Sequence, residues 1–158
     1  MSKIQNFDLD RQGTGTAEWA EFNANICEGC SNNCLYCYAA QMAIRFKRRK
    51  RADWALEKLT KQAEITKYPL RDGVVMFPSS HDITPFTLEA FIKVAKLILT
   101  KGNRLLIVSK PRRGCIERLI AELALWNEQM EGQHQGCRRE SWDDRVVRSA
   151  LQTADGRK

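Results

Sequence analysis

A chain of 158 residues, 43% of them hydrophobic, is long enough for one domain with a buried core. No apolar run approaches the roughly 20 residues of a membrane-spanning helix, and Met1-Ser-Lys-Ile-Gln-Asn carries no signal-peptide core, so no membrane partner and a cytoplasmic setting with reduced thiols are expected. The net charge of +7 is largely local, because residues 41 to 61 hold eight Lys/Arg against two acids, a run that suits either a phosphate backbone such as DNA or a solvated face.

Residues 1 to 18 are polar, contain Gly13 and Gly15, and read as a lead-in arm. Trp19 to Ile26 predicts a first strand that delivers Cys27-Glu-Gly-Cys30-Ser-Asn-Asn-Cys34-Leu-Tyr-Cys37 at its C-terminal end. From Ala39 good helix formers and apolar spacers predict a helix. A second helical piece is expected on Trp54, Ala55, Leu56 and Leu59, ending before Pro69 and Asp72-Gly73.

Gly73 to Pro78 is a compact apolar run and predicts a buried strand, with Ser79, Ser80, His81 and Asp82 directly after it. Thr84-Pro85 has the pattern of a helix start, Thr84 as N-cap and Pro85 at the first helical position. Leu88, Phe91, Ile92, Ala95, Ile98 and Leu99 then repeat at helical spacing until Gly102. Leu105 to Val108 predicts the next strand, followed by Ser109-Lys110-Pro111. Ile116, Leu119, Ile120 and Leu123 mark a further helix ending near Trp126. Alternating strands and helices argue for an α/β fold with a parallel sheet, whose chemistry collects at the strand–loop–helix junctions.

Four of the six cysteines fall within eleven residues. Cys30, Cys34 and Cys37 have the spacing C-x3-C-x2-C, a loop short enough to turn three thiolates toward one iron–sulfur cluster. A zinc site built from Cys27/Cys30 and Cys34/Cys37 is an alternative, although the two pairs are closer than in a zinc ribbon. A disulfide and a ferredoxin-type cluster are weaker fits, the first for want of a secretory context and the second for want of a fourth cysteine nearby.

The motif resembles the radical SAM superfamily, whose signature is C-x3-C-x2-C with an aromatic residue, here Tyr36, before the last cysteine. The phrase from Asn25 to Cys30, and Cys37-Tyr38-Ala39, is similar to the spore photoproduct lyase-like branch, where a glycine precedes the first ligand and the position of Cys27 is not a ligand. The resemblance covers roughly Trp19 to Trp126 and implies a partial (β/α) barrel of radical SAM type, with about the first three β/α units present. It implies a [4Fe-4S] cluster on Cys30, Cys34 and Cys37, with S-adenosylmethionine (SAM) chelating the fourth iron. Reductive cleavage of SAM would then give a 5′-deoxyadenosyl radical and make the protein a lyase-like enzyme served by a flavodoxin- or ferredoxin-type electron donor.

The resemblance further implies cofactor-binding roles for Tyr36 beside the adenine, for Ser80 and Asp82 in place of the Gly-Gly-Glu run of many relatives, and for Lys110 near the SAM carboxylate. For Asp82 the bland alternative is a helix cap, for His81 a surface group, and for Cys115 a small packing residue. No catalytic residue follows from the motif, and DNA photoproduct repair is the inheritance the branch suggests for the substrate. The rival class is a zinc-stabilised basic nucleic-acid-binding module without catalysis, and a third reading is an inactive fragment. Residues 127 to 158 hold six Lys/Arg and six Asp/Glu with fading periodicity, and read as an atypical tail, truncated or out of frame.

Overall fold

The computed structural model describes residues 15–110 and 112–132. Its elements in chain order are β1 (Phe22–Asn23), β2 (Cys27–Glu28), α1 (Tyr38–Arg45), β3 (Lys58–Leu59), β4 (Val74–Met76), α2 (Leu88–Thr100), β5 (Arg104–Leu106) and α3 (Arg113–Gly132). Three strands form a parallel sheet in the order β1-β4-β5, with Phe22 opposite Val75 and Val75 opposite Leu105. The small antiparallel pair β2-β3 sets Cys27 opposite Leu59. The fold is therefore mixed α/β, a short parallel sheet with three helices. Parallel strands end on one side, so the segments after β1, β4 and β5 gather there.

The core follows from the apolar spacing. Leu88, Phe91, Ile92, Ala95, Ile98 and Leu99 are all buried on α2, joined by Val94. Phe77, just after β4, stacks on Phe91 with ring centroids 4.1 Å apart. Each such fully buried side chain contributes about 1.5–3 kcal/mol. Gly102 adopts φ +84 and donates its N–H to the Leu99 carbonyl, which ends α2 where the sequence predicts. Cys115 is buried in the same core on α3, a packing role.

Several expectations are corrected. Residues 54 to 59 form no helix: Trp54 is buried after a 3-10 turn at Arg51–Asp53, and Lys58–Leu59 pairs with β2 instead. The basic run supplies arginines that bond carbonyls of the neighbouring loops, and this competes with helical hydrogen bonding. The start at Thr84 becomes a separate turn, in which Thr87 N–H donates to Thr84 Oγ1 (3.3 Å) and Thr84 N–H to Thr87 Oγ1 (3.0 Å), so α2 begins at Leu88. These reciprocal bonds cap the turn as a capping box would cap a helix.

In α3, Ile120 is exposed, and the buried stripe runs Cys115, Leu119, Leu123 with Ile116 and Trp126 beside it. The helix does not stop at Trp126 but continues to Gly132, with Trp126, Asn127 and Met130 half-buried at spacings of three and four. The rest of the expected tail, from residue 133, lies outside the described residues, as do the first fourteen residues of the arm. Among the described residues no helix is long and apolar enough to cross a membrane.

Candidate functional site

The cysteine spacing folds as two successive turns. Asn33 N–H donates to the Cys30 carbonyl (3.0 Å) and Cys37 N–H to the Cys34 carbonyl (3.2 Å). Asn33 takes φ 43, a left-handed conformation that asparagine tolerates better than most residues. Cys37 is the N-cap of α1, and its Sγ accepts from Ala40 N–H at 3.4 Å. Gly29, ahead of Cys30, has φ +87, and a Cβ there would stand 2.5 Å from the Leu56 carbonyl oxygen and 2.7 Å from that of Trp54. The close approach lets Cys30 N–H donate to the Trp54 carbonyl at 2.9 Å. Glycine before the first cysteine is thus a packing requirement.

Asp82 joins this loop to the segment after β5. Its Oδ2 accepts from Asn32 Nδ2 (2.8 Å) and from the Cys30 thiol (3.6 Å), and its Oδ1 from Lys110 N–H (2.8 Å) and Ser109 Oγ (3.4 Å). The carboxylate is therefore not a helix cap. The Lys110 ammonium lies 2.6 Å from Cys34 Sγ and 3.2 Å from the Tyr36 hydroxyl, above the Tyr36 ring at 4.6 Å. The hydrogen bonds to Cys34 and Tyr36 hold its pKa above the ordinary lysine value. Burial pushes the Cys30 thiol upward.

Cys27 behaves differently. Its buried thiol points at the Glu28 and Gly29 carbonyls (3.5 and 3.7 Å), and burial pushes it up to about 11. A thiol so placed is inert. Cys30, Cys34, Asp82, Lys110 and Tyr36 come together, whereas Ser80 does not join them. Ser79 and Ser80 N–H both donate to Asn25 Oδ1 (2.9 and 2.8 Å), and Ser80 lines a cavity of about 260 Å³ with Cys27, Tyr38, Met42, Arg48 and Trp54.

His81 is buried rather than on the surface. Its Nε2 accepts from Ile26 N–H (3.2 Å), which leaves the proton on Nδ1 to donate to the Asp82 carbonyl (3.1 Å). Burial lowers its pKa. The ring is a neutral structural bridge between the first strand's loop and the Asp82 loop.

Comparison of the chain with protein-family models, curated proteins and solved structures finds no match. Among the described residues no three His, Cys, Asp or Glu side chains stand close enough to hold a single metal ion. A four-iron cluster seats each thiolate on a different iron, so its ligands stand wider apart than those of one zinc. Cys30, Cys34 and Cys37 share one tight loop, while Cys27 is turned into backbone carbonyls. The Trp54 indole N–H is also buried without a hydrogen-bond partner, in the same packed group as Cys30 and Cys37. A buried donor left unpaired costs about 1–3 kcal/mol, and a sulfur-rich group beside it would offer acceptors.

Sequence reasoning missed Asn25, Asn32, Ser109, Arg51 and Arg112. Asn25 precedes the motif and Asn32 lies inside it, both visible as amides near the cysteines. Arg51 was hidden in a basic run, and nothing in the sequence marked Arg112 as a partner of residues some eighty positions earlier.

Proposed function

We propose that the chain is a radical SAM iron–sulfur protein of the spore photoproduct lyase-like branch, with a [4Fe-4S] cluster on Cys30, Cys34 and Cys37. The observation that carries the reading is the meeting of the C-x3-C-x2-C loop with Asp82 and Lys110 from the ends of two further parallel strands. The cluster and SAM, when bound, supply reductive carbon–sulfur cleavage and a 5′-deoxyadenosyl radical, the protein's part being to bind and orient.

Three cysteine ligands leave a fourth position for SAM, whose α-amino and α-carboxylate groups need an acceptor and a cation. Asp82 and Lys110 are that pair. Loss of the Cys30 proton on ligation removes the S–H donor from Asp82 Oδ2 and opens an acceptor position for an ammonium. Lys110, exposed and anchored on Tyr36, can turn from the Cys34 sulfur to a carboxylate. Tyr36, 77% exposed, would set its backbone beside the adenine, as the resemblance implies. Ser80 supports the reading least, since it lines the cavity beside Cys27 and Trp54 and does not meet Asp82 or Lys110.

The electron comes from a flavodoxin- or ferredoxin-type donor. Arg45, Lys47, Arg48 and Lys50 are exposed at the end of α1, and Phe46 is 59% exposed beside Arg45. Cations with an aromatic face suit DNA as the substrate's carrier.

The test is iron, sulfide and zinc analysis after anaerobic reconstitution, with Cys30→Ala alongside. About four irons and four sulfides per chain, lost in the variant, are expected. The loaded protein then releases 5′-deoxyadenosine and methionine from SAM on reduction. One zinc without sulfide, or no metal at all, overturns the proposal.

A further inference from the structure

Two guanidinium groups from distant parts of the chain close on the loop between the first two motif cysteines. Arg51 donates to Asn33 Oδ1, to the Asn33 carbonyl (3.3 Å) and to the Cys34 carbonyl (3.2 Å). From the opposite direction in sequence, Arg112 donates from Nε and Nη2 to Asn32 Oδ1 (2.9 and 2.6 Å) and from Nη2 to Ser31 Oγ (3.0 Å). The side-chain oxygens of Ser31, Asn32 and Asn33 and the carbonyls of Asn33 and Cys34 thus all accept from a guanidinium. Both arginines are half-buried, and Arg49 ties the same basic segment to the Glu28 carbonyl (2.9 Å). A solvated cationic face would leave these groups in water.

We propose that Arg51 and Arg112 are positioning residues that brace the Ser31–Cys34 loop from two sides and hold the Cys34 sulfur where the Lys110 ammonium faces it. The brace stands on these hydrogen bonds, and its consequence for cluster assembly rests on the iron–sulfur reading above. The physical basis is the planar fork of arginine, which spans two or three acceptors at once, whereas an ammonium is a point charge. A loop with one residue in the left-handed region and two successive turns needs that support, since each turn alone is closed by a single backbone bond.

The experiment measures the alkylation rate of each cysteine by mass spectrometry on the reduced, metal-free full chain, with iron loading and melting temperature measured in parallel. Arg51→Ala and Arg112→Ala are expected to speed Cys34 alkylation about tenfold, as loss of one charge-assisted hydrogen bond allows, while Cys27 stays slow. Arg51→Lys is expected to behave like Arg51→Ala. Lys50→Ala, which removes an exposed charge from the same run, is expected to leave every thiol rate unchanged. Asn33→Asp keeps the backbone tolerance and strengthens the contact to Arg51, so it should slow Cys34 below the wild-type rate even if the arginine variants prove unstable.

Wild-type Cys34 rates in both arginine variants, or a rate in Asn33→Asp that does not fall, overturn the brace. Iron loading reads separately. A wild-type chain that takes up no iron ends the cluster reading while the thiol rates still decide the brace. Iron uptake that survives in Arg51→Ala at the wild-type level, with the same spectrum, ends the link between the two.

Discussion

At the scale of single residues, the motif cysteines are distinguished by what surrounds each sulfur. Cys30 faces a carboxylate, Cys34 an ammonium, Cys37 a backbone amide, and Cys27 the Glu28 and Gly29 carbonyls. The residue that makes this possible is Gly29. A methyl group there meets two backbone oxygens, which cannot swing aside, and the backbone at φ +87 adds its own penalty. Gly29→Ala is therefore expected to cost about 2–4 kcal/mol, the sum of a left-handed non-glycine residue and local overpacking. Urea unfolding of the metal-free protein measures it, and a midpoint equal to wild type would show that the segment carrying Trp54 and Leu56 yields. Iron uptake should fall in the same variant, since Cys30 hangs from that segment by the bond to the Trp54 carbonyl.

At the scale of elements, the turn between α2 and β5 depends on one buried amide. Asn103 is 1% exposed, accepts from Arg71 N–H at 2.7 Å and donates to the Pro69 and Ile98 carbonyls at 3.1 and 3.0 Å. It ties the approach to β4 to the last turn of α2. Asn103→Ala is expected to cost about 2–4 kcal/mol because it leaves three backbone groups short of partners. Asn103→Asp, which sets a carboxylate oxygen against two carbonyls, should cost at least as much. Hydrogen exchange at Arg71 provides the check, since retained amide protection in Asn103→Ala would mean another acceptor replaces the side chain.

The same scale shows what the sequence could tell and why. The α2 stripe was readable because six apolar side chains repeat at helical spacing over one continuous core, and β4 and β5 because short apolar runs sit between turn residues. The segment from Trp54 to Leu59 was misread because its apolar residues mimic a helical face, while its conformation is set by long-range contacts to β2 and Gly29. Local pattern cannot report such contacts. In the site, the cysteine spacing marked the loop, and the resemblance singled out Asp82 and Lys110, whose contacts with Cys30 and Cys34 only the structure shows. The arginines and His81 were not legible, since their roles depend on partners 17 to 81 positions away.

At the scale of the whole molecule, His81 couples stability to pH. Its ring bridges the Ile26 amide and the Asp82 carbonyl only in the neutral form, and burial holds its pKa below 6.5 despite the nearby Asp82 and Glu57 carboxylates. Protonation would set an N–H against the Ile26 N–H inside the core. In the unfolded chain the ring takes its proton near pH 6.5, earlier than in the folded chain as the pH falls. Between that value and its lower folded value the unfolded state binds more protons, so stability present at neutral pH is lost on acidification. Glu122 shifts in the same protective sense, its pKa lowered by Lys96, but it acts only as the pH falls below about 4.5. The two windows are separable. Urea midpoints should therefore fall between pH 7.5 and 5.5 in the wild-type chain, and His81→Gln, less stable at neutral pH, should show a flatter profile over that interval. A wild-type midpoint unchanged across the interval would mean that the loop after β4 opens locally to let the ring charge without unfolding the sheet, and an equal fall in the variant would mean that groups other than His81 carry the dependence.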